Sequence, residues 1–158
     1  MSDRADIRNA VFEGLSAALS LEVNTAGAVA NGYVRKVYNG LPYDFGGLDA
    51  VIAVFSGNTR RPSAAMSVFR GSSADHRLSV GIYTRYGVEG DETWTPAIAE
   101  GMADACEERV AAWVAANATR DGVWKRLAYA NDGTPPTSIL LNGVEYRKEV
   151  ITLEASVY

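Results

Sequence analysis

The chain has 158 residues, of which 47% are hydrophobic and 22% are charged, and its net charge at pH 7 is −4. This length and composition predict one soluble domain over residues 1–158. Because phosphate binding depends on a high density of lysine and arginine, the acidic balance argues against sequence-specific nucleic acid as a partner. The single cysteine excludes an intramolecular disulfide. No apolar run approaches the ~18 residues of a membrane span, and the first residues lack the apolar core of a signal peptide, so we expect synthesis in a cytoplasm.

Two segments carry the three- and four-residue apolar spacing of amphipathic helices. The first covers about residues 3–20. The second follows Thr95, a candidate N-cap, has Pro96 at its first position and ends near Asn117. Its predicted apolar face consists of Ile98, Met102, Cys106, Val110, Trp113 and Val114. This position predicts a buried structural thiol for the cysteine.

Short apolar or alternating runs predict strands at 32–39, 49–56, 78–86, 123–129, 139–141 and 144–158. The strand over 78–86 is expected to be half-buried, because its apolar residues alternate with others. Asn142 and Gly143 are typical of a two-residue hairpin turn between the last two strands. Residues 131–138 have the composition of a turn. These elements predict an α+β fold, in which an antiparallel or mixed β-sheet has two α-helices packed on one face.

The last predicted strand runs to the end of the chain and is too apolar for a loose tail. Its residues Ile151, Leu153, Ala155 and Val157 share one side at period two and are expected to face the helices. The strand also has the character of a possible sheet edge. Five tyrosines are more than one small sheet face needs, so some of them are expected to be exposed, and exposed tyrosine is enriched at interfaces: Tyr33, Tyr38, Tyr43, Tyr83 and Tyr86.

The segment at about 56–76 is predicted to be a long loop or a hairpin arm. It places Arg60, Arg61 and Arg70 together as a candidate interface, with Arg77 and Arg85 beside it. One interpretation is a solvated loop flanked by charges on strand faces. The other is an arm that contacts an acidic neighbour. The residues favour neither interpretation over the other.

No set of residues predicts catalysis, a cofactor or a metal. Asp75 and His76, with Ser72 and Ser73, form the sole cluster of a nucleophile, a base and an acid, but a polar turn explains them better. Structural zinc needs four Cys or His ligands, whereas the chain has one of each. The phosphate-loop and dinucleotide-binding glycine patterns are absent. We therefore name no catalytic, cofactor-binding or metal-binding residue, and we expect a protein that is not an enzyme.

Four segments together carry a resemblance to a known family. Tyr38 precedes a stretch from Pro42 to Val54 that reads PYDFGGLDAVIAV. A strand LSVGIYTRYG, a helix WTPAIAEGMADACEERVAAWV and a final strand YRKEVITLEASVY follow. In this order the chain resembles the tail terminator proteins of long-tailed bacteriophages.

The resemblance implies a virion structural protein at the junction of tail and head, assembled in the host cytoplasm. Such a subunit forms a ring, typically of six copies, that caps the tail tube and joins it to the head connector. The implied partners are further copies of the chain, the tail tube protein and the head–tail connector protein, with no membrane. Three alternatives stay open: another head–tail adaptor or tail protein, a small enzyme that uses Asp75 and His76, and a ligand-binding module with a deep apolar cavity.

Overall fold

A computed structural model describes residues 3–20, 31–60, 74–87, 95–130 and 134–157 of the chain. Its helices are α1 (Arg4–Leu19) and α2 (Pro96–Ala116). Its strands are β1 (Lys36–Asn39), β2 (Ala50–Arg60), β3 (Ala74–Arg85), β4 (Arg126–Tyr129), β5 (Thr134–Leu141) and β6 (Val144–Val157). The six strands form one mixed sheet against which the helices pack, so the predicted α+β fold is confirmed.

The sheet has the order β1-β2-β3-β6-β4, and β5 pairs with β6 beside β4. β1 and β2 are parallel, and the other pairs are antiparallel. β6 pairs with β3 along one edge, while its other edge pairs first with β5 and then with β4. The prediction that the terminal strand could be a sheet edge is therefore wrong. β6 lies in the interior of the sheet because its backbone pairs with neighbouring strands along both edges.

The predicted N-terminal helix is confirmed as α1, and a capping box begins it. The Asp3 carboxylate accepts from the Asp6 backbone N–H at 2.9 Å, and the Asp6 carboxylate accepts from the Asp3 N–H at 3.1 Å. This pair satisfies backbone donors that a helix start otherwise leaves unbonded. The buried residues of α1 follow the helical period and lie against the sheet: Ile7, Ala10, Val11, Leu15 and Leu19.

The predicted second helix is confirmed as α2, with Thr95 as its N-cap and Pro96 in its first turn. Its buried residues are Ala99, Met102, Ala103, Cys106, Val110 and Val114. The prediction that Ile98 belongs to this face is wrong, since Ile98 is 36% exposed. Ala99 is buried in its place, and its carbonyl accepts from the hydroxyl of Thr84 at 3.0 Å.

The two faces of the sheet contribute to separate hydrophobic clusters. The larger cluster lies under the helices and includes the β6 residues Ile151, Leu153, Ala155 and Val157, as predicted. The smaller cluster lies on the other face and consists of Phe45, Val51, Ala53, Tyr83 and Tyr146. β3 is consequently buried on both faces from Val80 to Thr84, and the expectation of a half-buried strand is wrong there.

Two segments predicted as turns are partly strand. β2 and β3 continue as a hairpin until Arg60 pairs with Asp75, with an irregularity between Ser56 and Thr59. The base of the 56–76 segment is therefore a hairpin arm, while residues 61–73 lie outside the described residues. The turn predicted at 131–138 is wrong for 134–138, which belong to β5.

We expect removal of residues 151–158 to prevent folding. The deletion removes the part of β6 that pairs with both β3 and β4, and it exposes the apolar residues under the helices. Circular dichroism of the shortened chain should show neither a native spectrum nor a cooperative thermal transition. A folded, cooperative product would contradict the central role of β6.

Candidate functional site

Asp75 and His76 do not come together as an acid–base pair. They are consecutive residues of β3, so their side chains point to opposite faces of the sheet. His76 is opposite Thr59 on β2 and Ala155 on β6, and it is 2% exposed. The turn predicted at this position is wrong, because the backbone of Asp75 and His76 pairs with both β2 and β6. Ser72 and Ser73 lie outside the described residues.

Cys106 is a buried residue of α2, as predicted. Burial raises the pKa of its thiol to about 12, with smaller contributions from Glu107 and Glu149. The thiol therefore stays protonated near neutral pH, and a protonated thiol is a poor nucleophile. Within the described ranges, the structure shows no group of three His, Cys, Asp or Glu side chains placed to hold a metal. No helix in that same part of the chain has the length and apolar character to cross a membrane.

The candidate interface arginines are only partly within the described residues. Arg60 is the last residue of β2, and Arg61 and Arg70 lie outside the described part of the chain. The two flanking arginines have partners on their own subunit. The guanidinium of Arg77 lies 3.4 Å from the Glu154 carboxylate, and Arg85 donates to the carbonyls of Gly87 and Gly47. For these two, the interpretation as strand-face charges agrees with the structure.

A groove of about 610 Å³ lies between α2 and the strand edge where β6 changes partner from β5 to β4. We call it the acidic groove. Its helix side carries Asp104, Glu107 and Glu108, and Glu149 of β6 adds a fourth carboxylate. Its remaining wall is apolar or neutral and includes Tyr129, Pro135, Pro136, Val150 and Ile151. No lysine or arginine is among the described residues that line it.

One hydrogen bond connects two walls of this groove. The Tyr129 hydroxyl on β4 donates to the Glu107 carboxylate on α2 at 3.1 Å. Burial of the phenol, followed by the charge and hydrogen bond of Glu107, raises the pKa of Tyr129 well above its ordinary value. The phenol is therefore neutral at physiological pH. The bond links the helix to the strand edge across the groove.

A second exposed feature is the loop of residues 40–48 between β1 and β2, which we call the β1–β2 loop. Tyr43 at its tip is 100% exposed and Leu41 is 57% exposed, whereas Phe45 is buried. The ring of Phe45 packs against Tyr83 and Tyr146, with centroids 4.7 Å and 5.1 Å away. The loop therefore presents apolar side chains outward from a base that is anchored in the smaller hydrophobic cluster.

Local hydrogen bonds also hold the β1–β2 loop in place. The Asp44 carboxylate accepts from the Gly46 N–H at 2.8 Å, and Gly46 and Gly47 adopt the positive φ angles of 61° and 74° that favour glycine. The Tyr146 hydroxyl donates to the Leu48 carbonyl at 3.0 Å. An exposed tyrosine on a fixed loop is typical of protein contact surfaces.

Sequence reasoning found part of these surfaces. The expectation that some of the five tyrosines are exposed is confirmed by Tyr43, whereas Tyr83 is fully buried. The acidic groove was missed, because its walls come from α2, β4, β5 and β6. The one local signal was the spacing of Asp104, Glu107 and Glu108, which places three carboxylates on one helix face.

Comparison of the chain with protein-family models and with curated proteins found no match.

We expect Tyr83→Phe and Tyr146→Phe to have different effects on the free energy of unfolding. The buried Tyr83 hydroxyl finds no hydrogen-bond partner among the described residues, so its removal should change stability by less than about 0.5 kcal/mol or increase it. The Tyr146 hydroxyl holds the β1–β2 loop through Leu48, so its removal should cost about 1 kcal/mol. Urea unfolding of both variants would measure the difference in unfolding free energy, provided that its dependence on urea concentration is the same in both. An equal loss in both variants would contradict it.

We expect stability to fall in alkaline solution. Burial raises the pKa of Tyr83 to about 12 from an ordinary value of 10.0, so folding favours the neutral phenol. Because the pKa is higher in the folded protein than in the unfolded chain, the neutral phenol stabilises the fold fully below pH 10, and this stabilisation is lost as the pH rises from 10 toward 12. The urea midpoint should therefore decrease over this range, and Tyr83→Phe should decrease less. Parallel decreases in both proteins would show that Tyr83 is not responsible.

Proposed function

We propose that this chain is a tail terminator subunit of a long-tailed phage. Copies of it form a closed ring, which caps the tail tube and joins it to the head connector at the head–tail junction after assembly in the host cytoplasm. The α+β fold with both helices on one face supports this proposal, because it agrees with the order of elements on which the resemblance rests. The partners are further copies of the chain, the tail tube protein and the connector protein.

The observation that carries the proposal is the β1–β2 loop. Tyr43 and Leu41 are exposed on a loop whose base is fixed by Phe45 and by the Tyr146–Leu48 hydrogen bond. Keeping apolar side chains in water is unfavourable, so a fixed loop that exposes them is best explained by a protein that covers it. Assembly into a ring and onto a tube provides such a protein surface on every subunit.

The described residues give less support to the other classes. An enzyme that used Asp75 and His76 would need them on one side of the strand, whereas β3 places them on opposite faces. A ligand-binding module would need a deep apolar cavity. The acidic groove is an open surface with four carboxylates on its lining, which suits a basic protein segment better than a small apolar ligand.

We expect the purified protein to form rings, on its own or when mixed with tail tubes. Analytical ultracentrifugation would give the subunit number, and electron microscopy would show rings at the ends of tubes assembled from the tail tube protein encoded nearest to this chain. Elongation of those tubes should stop when the ring binds. A protein that binds the connector but never the tube would instead be another head–tail adaptor, and a protein that binds neither would contradict the proposal.

Leu41→Ser combined with Tyr43→Ser should weaken ring formation or tube binding by ~10-fold or more, because both side chains are expected to become buried in the assembly. The matched control is Leu140→Ser on β5, which removes another exposed leucine, 70% exposed, that is not part of the loop. Both variants should unfold at the wild-type urea concentration. Equal assembly of the loop variant and the control would remove the observation on which the proposal depends.

A further inference from the structure

We propose that the free edge of β5 binds the β5 edge of a second copy of the chain, antiparallel and around a two-fold axis. This contact goes beyond the proposed ring, because a ring closes through head-to-tail contacts between two different surfaces. A two-fold contact instead joins two free subunits, or subunits of two rings. Three features support it: the open backbone groups of β5, the lack of charge along this strand and the faces on which its side chains lie.

β5 has a neighbouring strand on one side only. Among the described residues its single partner is β6. Leu141 and Val144 lie opposite one another on either side of the two-residue turn, so they form a hydrogen-bonded pair, and bonded pairs alternate along the hairpin from there. The backbone N–H and C=O groups of Ser138 and Leu140 therefore point away from β6. Both residues are exposed, so another strand can reach these groups.

The edge of β5 lacks the features that protect the other edge strands. Edge strands usually carry charged residues or are covered by other backbone, which prevents pairing with further chains. At β1 the exposed Lys36 supplies a charge, and at β4 the Leu127 N–H donates to the Ala118 carbonyl at 2.8 Å. Over Thr134–Leu141 the sequence TPPTSILL has no charged residue. Its two prolines protect only the first part of the strand, because proline has no N–H to donate.

The faces of the side chains favour a second β5 over β1 as the paired strand. Opposed residues of an antiparallel pair have their side chains on the same face. Ile139 and Leu141 pack against the smaller hydrophobic cluster, so Leu140 between them lies on the helix face. On β1 the Arg35 N–H bonds to β2, so the backbone of Tyr38 points outward, but the Tyr38 ring packs against the smaller cluster. Antiparallel pairing with β1 would therefore interrupt both hydrophobic layers, whereas two β5 strands continue them.

The same backbone groups determine the register. Pairing centred on Ile139 places Ser138 opposite Leu140 of the second copy, and each such pair exchanges two hydrogen bonds. A shift that places Pro136 opposite Leu140 would leave one bond unmade, since proline has no N–H. The two Ile139 residues then form a non-hydrogen-bonded pair on the axis, with Cα atoms ~4.5 Å apart. The two sheets continue as one, and the helices of both copies lie on the same face.

Single cysteines test this register. Two Ile139→Cys chains would bring their Cα atoms within the distance that a disulfide needs. In the matched control Leu141→Cys, on the same face, the two Cα atoms would be separated by four residues of strand, or ~13 Å. Because a contact of this length is weak, the proteins are oxidised with oxidised glutathione at high concentration. Ile139→Cys should give a disulfide-linked dimer ~10-fold faster than the control. Equal rates would overturn the inference.

Charges on the edge test the contact without a covalent bond. Ser138→Lys with Leu140→Lys places lysines opposite one another and should weaken the dimer ~10-fold or more in analytical ultracentrifugation. The matched control, Ser138→Glu with Leu140→Lys, changes the same two exposed residues but opposes unlike charges, so it should keep the dimer. Both should unfold at the wild-type urea concentration. Loss of the dimer in both variants, or in neither, would contradict the pairing. Leu140→Ser keeps the backbone groups that bond, so it remains a control for the β1–β2 loop.

The inference and the proposed function fail independently. A wild type that stays monomeric at high concentration would overturn the pairing, even if it caps tail tubes. If hydrogen exchange at Ser138 and Leu140 slows only when tail tubes are added, the edge binds a different protein and self-pairing is wrong. Dimers that pair through β5 but never form rings or bind tubes would leave the pairing correct and overturn the proposed function.

Discussion

The pairing of β6 with three other strands is the constraint on which the rest of the structure depends. β6 bonds to β3 along one edge and to β5 and β4 along the other, so it joins the β2–β3 hairpin to the C-terminal strands. The Asn142–Gly143 turn, with φ angles of 50° and 79°, fixes the register of β5 against β6. A slip of one residue would exchange the faces of Tyr146 and Arg147. Arg147 would then lose the Glu100 carboxylate, 2.9 Å from its Nε, and α2 would lose a contact that holds its first turns on the sheet.

The parts of the fold that were predictable depend on local signals. Helical periodicity and an N-cap at Thr95 fixed α2, and the Asn142–Gly143 dipeptide located the last hairpin. The predictions were wrong where contacts between residues far apart in the sequence determine the local structure. The strand at residues 74–76 has the composition of a turn, but it pairs with Thr59 and Ala155. Helical spacing allowed either Ile98 or Ala99 to face the sheet, and the structure buries Ala99, whose carbonyl accepts from Thr84 on β3.

The candidate surfaces were less predictable, because they combine residues from separate elements. Arg60 and Arg61 are adjacent and stand out in the sequence, but nothing in the sequence places a carboxylate of β6 opposite those of α2. The exposure of Tyr43 follows from the burial of Phe45, two residues later, beneath the loop. Sequence alone gives both residues the same aromatic character, and the second cluster on the sheet decides which of them is covered.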